Sequence, residues 1–131
     1  MGDGTSLGRV RGLGSAKEGA HHWWHQRLTA GANLLLMTWF LASILLLPGY
    51  DYATLSLWLS SAWNAVPLLL LVTSVLYHAR LGLQVAIEDY QQGASRVMLL
   101  VLVDFFVVTA AALAIFSILK IALAPVAGAS A

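Results

Sequence analysis

The chain has 131 residues, of which 60% are hydrophobic and only 10% charged, and its mean hydropathy is +0.80. This composition excludes an ordinary soluble domain and indicates a membrane protein with a single domain. A net charge of +1 without a basic run argues against a nucleic-acid partner. The absence of cysteine excludes disulfides, thiolate-bound iron–sulfur clusters and c-type haem on this chain.

The first element is a polar, glycine-rich stretch over residues 1–27. It holds four cations, Arg9, Arg11, Lys17 and Arg27. We predict a tail that runs into an interfacial helix at "HHWWHQR". His21 and His25 have the one-turn spacing of a metal-chelating pair. Tryptophan rings at the headgroup level explain the segment without a metal, and this is the interpretation that we favour.

Three apolar segments follow, at about 28–47, 60–87 and 97–122. The first has 20 residues without a charge, and as a helix it spans about 30 Å, the thickness of a hydrocarbon core. Between the segments we predict a short loop at "GYDYATLS" and a polar turn at "EDYQQGASR", residues 88–96. Pro67 indicates a kink or a helix start. The pattern predicts an all-α membrane protein with three transmembrane helices, up-down-up, forming one domain over 28–131.

The distribution of cations predicts the orientation. Four lie in the N-terminal stretch, none lies in the first loop, and Arg96 lies in the second. By the positive-inside rule, the N-terminus and the 88–96 turn are cytoplasmic.

His78 is the first polar residue that needs an explanation. It lies 12 residues before Tyr90, or about 18 Å along a helix, well inside the membrane. Two interpretations stay open: a neutral histidine hydrogen-bonded to a neighbouring helix, or an axial ligand of haem b. Gly82, one turn later, leaves room for a flat macrocycle, and Asp89 lies on the same face. The other histidines are too shallow to face His78 across a haem, so the second ligand would belong to another subunit.

Arg80 and Asp104 are the other ionisable residues within the apolar segments that require a partner. On a helical wheel Arg80 points about 200° away from His78. Arg80 lies 12 residues before Gln92 in the turn, and Asp104 lies 12 after it. Antiparallel helices would bring the two to the same depth, which predicts a structural ion pair. The alternatives are a contact of Arg80 with a partner subunit or lipid headgroups, and a proton path through a small transporter subunit.

The stretch "YHARLGLQVAIEDY" resembles the signature of succinate dehydrogenase membrane anchor subunits. That family has a histidine, a glycine four residues on, and an Asp-Tyr pair ending twelve residues after the histidine. Here these are His78, Gly82, Asp89 and Tyr90. The N-terminal "RVRGLGSAKEGAHHWWHQRLTA" also looks like the entry to the first helix of proteobacterial and mitochondrial-like members. The resemblance covers nearly the whole chain.

The resemblance implies a membrane anchor of succinate dehydrogenase, respiratory complex II, in the bacterial inner membrane. The chain would be non-catalytic by itself, with a flavoprotein, an iron–sulfur protein and a cytochrome b556 subunit as partners. His78 would be one axial ligand of haem b shared with the cytochrome subunit, and the residues near the haem would be Arg27, Gly82 and His21. Tyr90 would hydrogen-bond ubiquinone at the cytoplasmic surface, with Asp89 beside it. The alternatives are the anchor of a quinol:fumarate reductase and a non-redox structural anchor.

Overall fold

The structure, a computed structural model, describes residue 6 and residues 17–124. Within residues 17–124 it has no strand and four helices: α1 Lys17–Leu45, α2 Tyr52–Ser60, α3 Ala62–Tyr90 and α4 Gly93–Ala122. The spans Ala20–Leu45, Ala62–Tyr90 and Gly93–Ala122 are long and apolar enough to cross a membrane. The predicted all-α fold with three transmembrane helices is confirmed. Most of the predicted N-terminal tail, residues 1–5 and 7–16, lies outside the described residues.

Helix α1 is continuous through the segment that we predicted to be a separate interfacial helix. It begins at Lys17 and ends at Leu45 without a break near residue 27. No proline occurs in this range, so nothing interrupts the ladder of backbone hydrogen bonds. The histidines and tryptophans of "HHWWHQR" therefore form early turns of the same helix as the first apolar segment and share its helical register.

The loop predicted at "GYDYATLS" is wrong in its second part, because Tyr52–Ser60 is helix α2. Asp51 caps this helix: its carboxylate accepts hydrogen bonds from the Thr54 backbone N–H at 3.1 Å and the Thr54 hydroxyl at 2.7 Å. A capping carboxylate satisfies an N–H group that has no partner inside the helix, and it lies favourably at the positive end of the helix dipole. The Thr54 side-chain bond, followed by the backbone bond, holds the pKa of Asp51 below its ordinary value.

Helices α3 and α4 extend further than the predicted spans. They contain 29 and 30 residues, or about 44 Å each, which exceeds a hydrocarbon core of about 30 Å. The predicted polar turn at 88–96 shortens to Gln91 and Gln92. Gly93 opens α4 with φ +65°, a left-handed backbone that glycine adopts without a steric penalty. Asp89 and Tyr90 consequently belong to the last turn of α3.

Helix α3 lies between α1 and α4 and packs against both, while α2 packs against α3 and α4. Pro67 lies inside α3 and does not begin it. Few described side chains are buried; the tightest cluster is Leu59, Ala65 and Ile118, near the start of α3 and the end of α4. Large apolar side chains otherwise face outward along the described helices. Such a surface suits lipid or a second membrane subunit.

Candidate functional site

The predicted site residues lie toward one end of the bundle, where α1 begins, α3 ends and α4 begins. Short connections and antiparallel packing bring these three helix ends together. The opposite end holds the apolar cluster around Leu59. The predicted site residues and the tightly packed apolar cluster thus lie toward opposite ends of the bundle.

The structure brings Arg80 and Asp104 together across α3 and α4. Arg80 Nε donates to Asp104 Oδ1 at 2.6 Å, and Arg80 Nη2 donates to Asp104 Oδ2 at 3.1 Å. This bidentate geometry is the strong form of an arginine–carboxylate pair. The side chains are 35% and 48% exposed on this chain alone. In a bilayer, such a pair keeps both charges compensated.

His78 contacts α1, and Arg80 borders a recess between α3 and the start of α1. Its Nδ1 lies 3.0 Å from the hydroxyl oxygen of Thr29, and the contact is partly buried. One turn away from this contact, His25 Nδ1 lies 3.1 Å from the hydroxyl of Tyr77. The two contacts join α1 to α3 through polar groups. The interpretation of His78 as a histidine bonded to a neighbouring helix is therefore satisfied at Nδ1, and the other ring nitrogen, Nε2, makes no hydrogen bond within the described part of the chain.

Gly82 lies on the edge of an open cavity of about 670 Å³ between the start of α1 and the end of α3. A Cβ atom added at Gly82 would approach only the Gln26 amide nitrogen, at 3.7 Å. This is ordinary van der Waals contact, so a side chain at this position would not clash severely. The effect of the glycine is to leave a shallow depression in the surface of α3. The remaining lining residues are His22, Trp23, Gln84, Val85 and Glu88.

Arg27 and His21, the other residues predicted near a haem, do not meet in one place. Arg27 is exposed, and its Cζ lies 5.3 Å from the centre of the Trp23 ring. Since Trp23 lines the cavity beside Gly82, Arg27 adjoins that cavity through an aromatic ring. His21 instead lines a smaller recess of about 230 Å³ on the Tyr77 side of α3.

Asp89 and Tyr90 are the last two residues of α3, and both are exposed. Tyr90 is 85% exposed on this chain. Within the described residues neither makes a side-chain hydrogen bond. The adjacent Glu88 differs, because it accepts from the Gln84 amide at 3.2 Å and pairs with Arg96 at 3.3 Å. The structure thus leaves the Asp89 carboxylate and Tyr90 phenol open at the helix end while the neighbouring acid is engaged.

We did not predict from the sequence the polar stripe that lies on α1. His22, Gln26, Thr29 and Asn33 are spaced by four, three and four residues, which places them on one face of a helix. Among the described residues, no hydrogen-bond partner reaches three shielded atoms on this stripe: His22 Nε2, Gln26 Oε1 and Asn33 Oδ1. The i, i+4, i+7, i+11 pattern was a readable signal, but it begins in a segment that we predicted to lie outside the first span.

Within the described residues, no three His, Asp or Glu side chains converge as a metal site. The predicted His21–His25 spacing therefore gains no third ligand there. A haem iron held by one histidine from each of two subunits needs no such cluster on either chain.

Comparison with known proteins gives one family match over most of the chain. The family model of the succinate dehydrogenase/fumarate reductase transmembrane subunit matches residues 1–116. No solved structure gives a significant match.

Curated relatives match between 57% and 72% of the chain. The chain is 43% identical over 82 residues to the succinate dehydrogenase hydrophobic membrane anchor subunit of Rickettsia bellii, covering 63% of this chain and 66% of that protein. It is 38% identical over 96 residues to the subunit of the same name from Rickettsia felis, covering 72% and 80%. It is 31% identical over 80 residues to the succinate dehydrogenase membrane anchor subunit of Reclinomonas americana, covering 59% and 67%. The match to the first of these spans slightly less than two thirds of that relative's length.

Proposed function

The chain belongs to the family of succinate dehydrogenase/fumarate reductase transmembrane subunits, and from this premise we propose that it is the small membrane anchor of a succinate dehydrogenase. It would hold a flavoprotein and an iron–sulfur subunit at the bacterial inner membrane, with its N-terminus cytoplasmic. It would pair with a cytochrome b556 subunit and share haem b and a ubiquinone site with its partners. One observation carries the proposal: His78, Gly82 and the Asp89-Tyr90 pair lie on α3 at the end where the three spans present polar groups.

The haem part of the proposal depends on whether the residues present fit the group. His78 has one ring nitrogen at hydrogen-bond distance from Thr29 and one left over, which is the usual state of a histidine that binds a metal. Gly82 keeps the adjacent helix surface low beside an open cavity. A histidine with small residues next to it suits a flat macrocycle held between helices. Haem b, when bound, would supply a one-electron redox centre.

Two further residues belong to the haem part. Arg27 is a cation on α1 and adjoins the cavity through Trp23, so it would attract an anionic edge of the cofactor. His21 lines the recess on the Tyr77 side instead, so its role depends on the resemblance alone.

Reduction of ubiquinone requires two electrons and two protons, and this chain would contribute a hydrogen-bond donor. The exposed Tyr90 phenol would donate to a quinone carbonyl oxygen, orienting the ring and stabilising the negative charge that develops on that oxygen. The electrons would come from the iron–sulfur subunit, since this chain has no cysteine to hold a cluster.

Asp89 would assist at the same helix end as a proton carrier or as a partner that polarises the phenol. Its carboxylate lies in the last turn of α3 and is exposed. Glu88, one residue earlier, already has Arg96 as a counter-ion. The open carboxylate of Asp89 is thus the one available to exchange protons with the quinone site.

The second candidate function is the anchor of a fumarate reductase, because the family model includes those subunits. All six significant curated relatives are named as succinate dehydrogenase subunits. Their names favour the anchor of a succinate dehydrogenase over that of a fumarate reductase. A purely structural anchor, with His78 only a packing residue, is the third.

A reduced-minus-oxidised absorbance spectrum of the purified complex tests the proposal. His78→Leu should abolish or shift the haem b band, whereas His25→Leu, which removes a histidine from α1, should keep it. An unchanged haem band in His78→Leu would leave the structural anchor as the better description.

A further inference from the structure

The hydroxyl group of Thr29 makes three close contacts at the boundary between α1 and α3. Its Oγ1 lies 2.8 Å from the backbone carbonyl oxygen of His25 and 3.1 Å from that of Gln26. The third neighbour is Nδ1 of His78, at 3.0 Å. The threonine therefore lies between its own helix backbone and the imidazole ring on α3.

The position of the hydroxyl hydrogen follows from the chemistry of these neighbours. A carbonyl oxygen only accepts hydrogen bonds, and a hydroxyl group has a single hydrogen to donate. Two oxygen atoms at 2.8 Å repel each other unless a hydrogen lies between them. The Thr29 hydrogen must consequently point toward the carbonyls of His25 and Gln26, which leaves an oxygen lone pair facing His78. That lone pair is satisfied only if Nδ1 of His78 carries the ring proton.

We propose that Thr29 is a positioning residue that holds His78 as the Nδ1–H tautomer and directs its free Nε2 lone pair to the iron of a haem. The inference deepens the proposed function and rests on it. In a neutral imidazole with hydrogen on Nδ1, only Nε2 keeps a lone pair, and this lone pair is what a metal binds. The rotation of the ring is fixed as well, because the accepting oxygen is itself tied to the α1 backbone.

The same bond affects the electronic character of the ligand. An N–H group that donates to an oxygen makes the other ring nitrogen more basic, and this basicity strengthens the bond to the more positive metal ion. Loss of the Thr29 oxygen should therefore destabilise ferric haem relative to ferrous haem. The expected consequence is a higher haem midpoint potential.

The test compares three variants in the purified complex. Thr29→Val keeps the size and shape of the side chain but loses the accepting oxygen. Thr29→Ser keeps that oxygen. Thr38→Val is the matched control, because the Thr38 hydroxyl also bonds to its own helix, at 2.7 Å from the Leu34 carbonyl, with no further partner among the described residues. Potentiometric titration of the haem and low-spin electron paramagnetic resonance spectra give readouts that do not depend on turnover.

We expect a positive shift of the haem potential and altered low-spin signals in Thr29→Val. Thr29→Ser and Thr38→Val should match the unmodified complex. If Thr29→Val does not assemble, Thr29→Ala should show the same shift. Potentials and signals equal to the unmodified complex in Thr29→Val or Thr29→Ala would overturn the inference.

His78→Leu separates this inference from the proposed function. A haem spectrum that is lost or shifted in His78→Leu, with no shift in Thr29→Val, removes only the role of Thr29. A spectrum unaffected by His78→Leu removes the proposed ligand itself.

Discussion

Arg80 and Asp104 illustrate how two charges can be placed within apolar helices. The bidentate contact between them gives each charged group hydrogen-bond partners in place of water. Arg80 also borders the recess that His21 lines. The role that we predict for the pair is structural, because each charge compensates the other.

Removing one partner should be worse than removing both. Arg80→Leu would leave the Asp104 carboxylate uncompensated, at a cost on the order of 2.5–3.5 kcal/mol near the middle of a membrane helix. The Arg80→Leu/Asp104→Leu double variant leaves no charge behind, so it should assemble better than either single variant. Yield of assembled complex in detergent is the measurement.

Arg96→Leu is the control for the ion pair. It removes an arginine whose 3.3 Å contact with Glu88 is at the end of the bundle, and an exposed pair contributes about 0–1 kcal/mol. Equal yields from Arg80→Leu and the double variant would contradict the structural role that we predict for the pair.

Tyr90 should affect quinone chemistry and nothing else. Tyr90→Phe removes one hydrogen-bond donor from an exposed position. A bond of about 1–1.5 kcal/mol corresponds to roughly a tenfold loss in ubiquinone reduction. Haem content and the reduction of an artificial acceptor that bypasses the quinone site should remain unchanged. Unaltered ubiquinone kinetics would exclude the phenol from that site.

The helices differ in how much of them the sequence could predict. Three uncharged or nearly uncharged segments are enough to identify the spans, and the position of the polar turn is enough to place Arg80 opposite Asp104. The continuity of α1 was not predictable, because its histidines and tryptophans are equally typical of an interfacial helix. The contact between Thr29 and His78 was not predictable for a different reason. Predicting it requires knowing which face of α1 packs against α3.

The short turn between α3 and α4 sets the register on which the ion pair depends. Gly93 has φ +65°, where a Cβ atom costs about 1–2 kcal/mol. Gly93→Ala should therefore lower the thermal unfolding midpoint of the complex. Gly93→Asn should lower it less, because asparagine tolerates the left-handed region. Equal midpoints for the two variants would mean that the turn relaxes to another conformation.

Most large apolar side chains in the described part of the chain are exposed and available for contact with other molecules. Its most tightly packed apolar cluster lies near the start of α3 and the end of α4, and many large apolar side chains along all three spans face outward. In water such a surface would aggregate. In the proposed complex, lipid would cover part of it and a second membrane subunit would cover another part.

Purification of the tagged chain from membranes in a mild detergent tests its proposed role most directly. Flavin and iron–sulfur subunits should co-purify in a one-to-one ratio with the chain, and the preparation should reduce ubiquinone with succinate. A chain that purifies from intact membranes without flavin and iron–sulfur clusters would contradict the proposal that it anchors a succinate dehydrogenase.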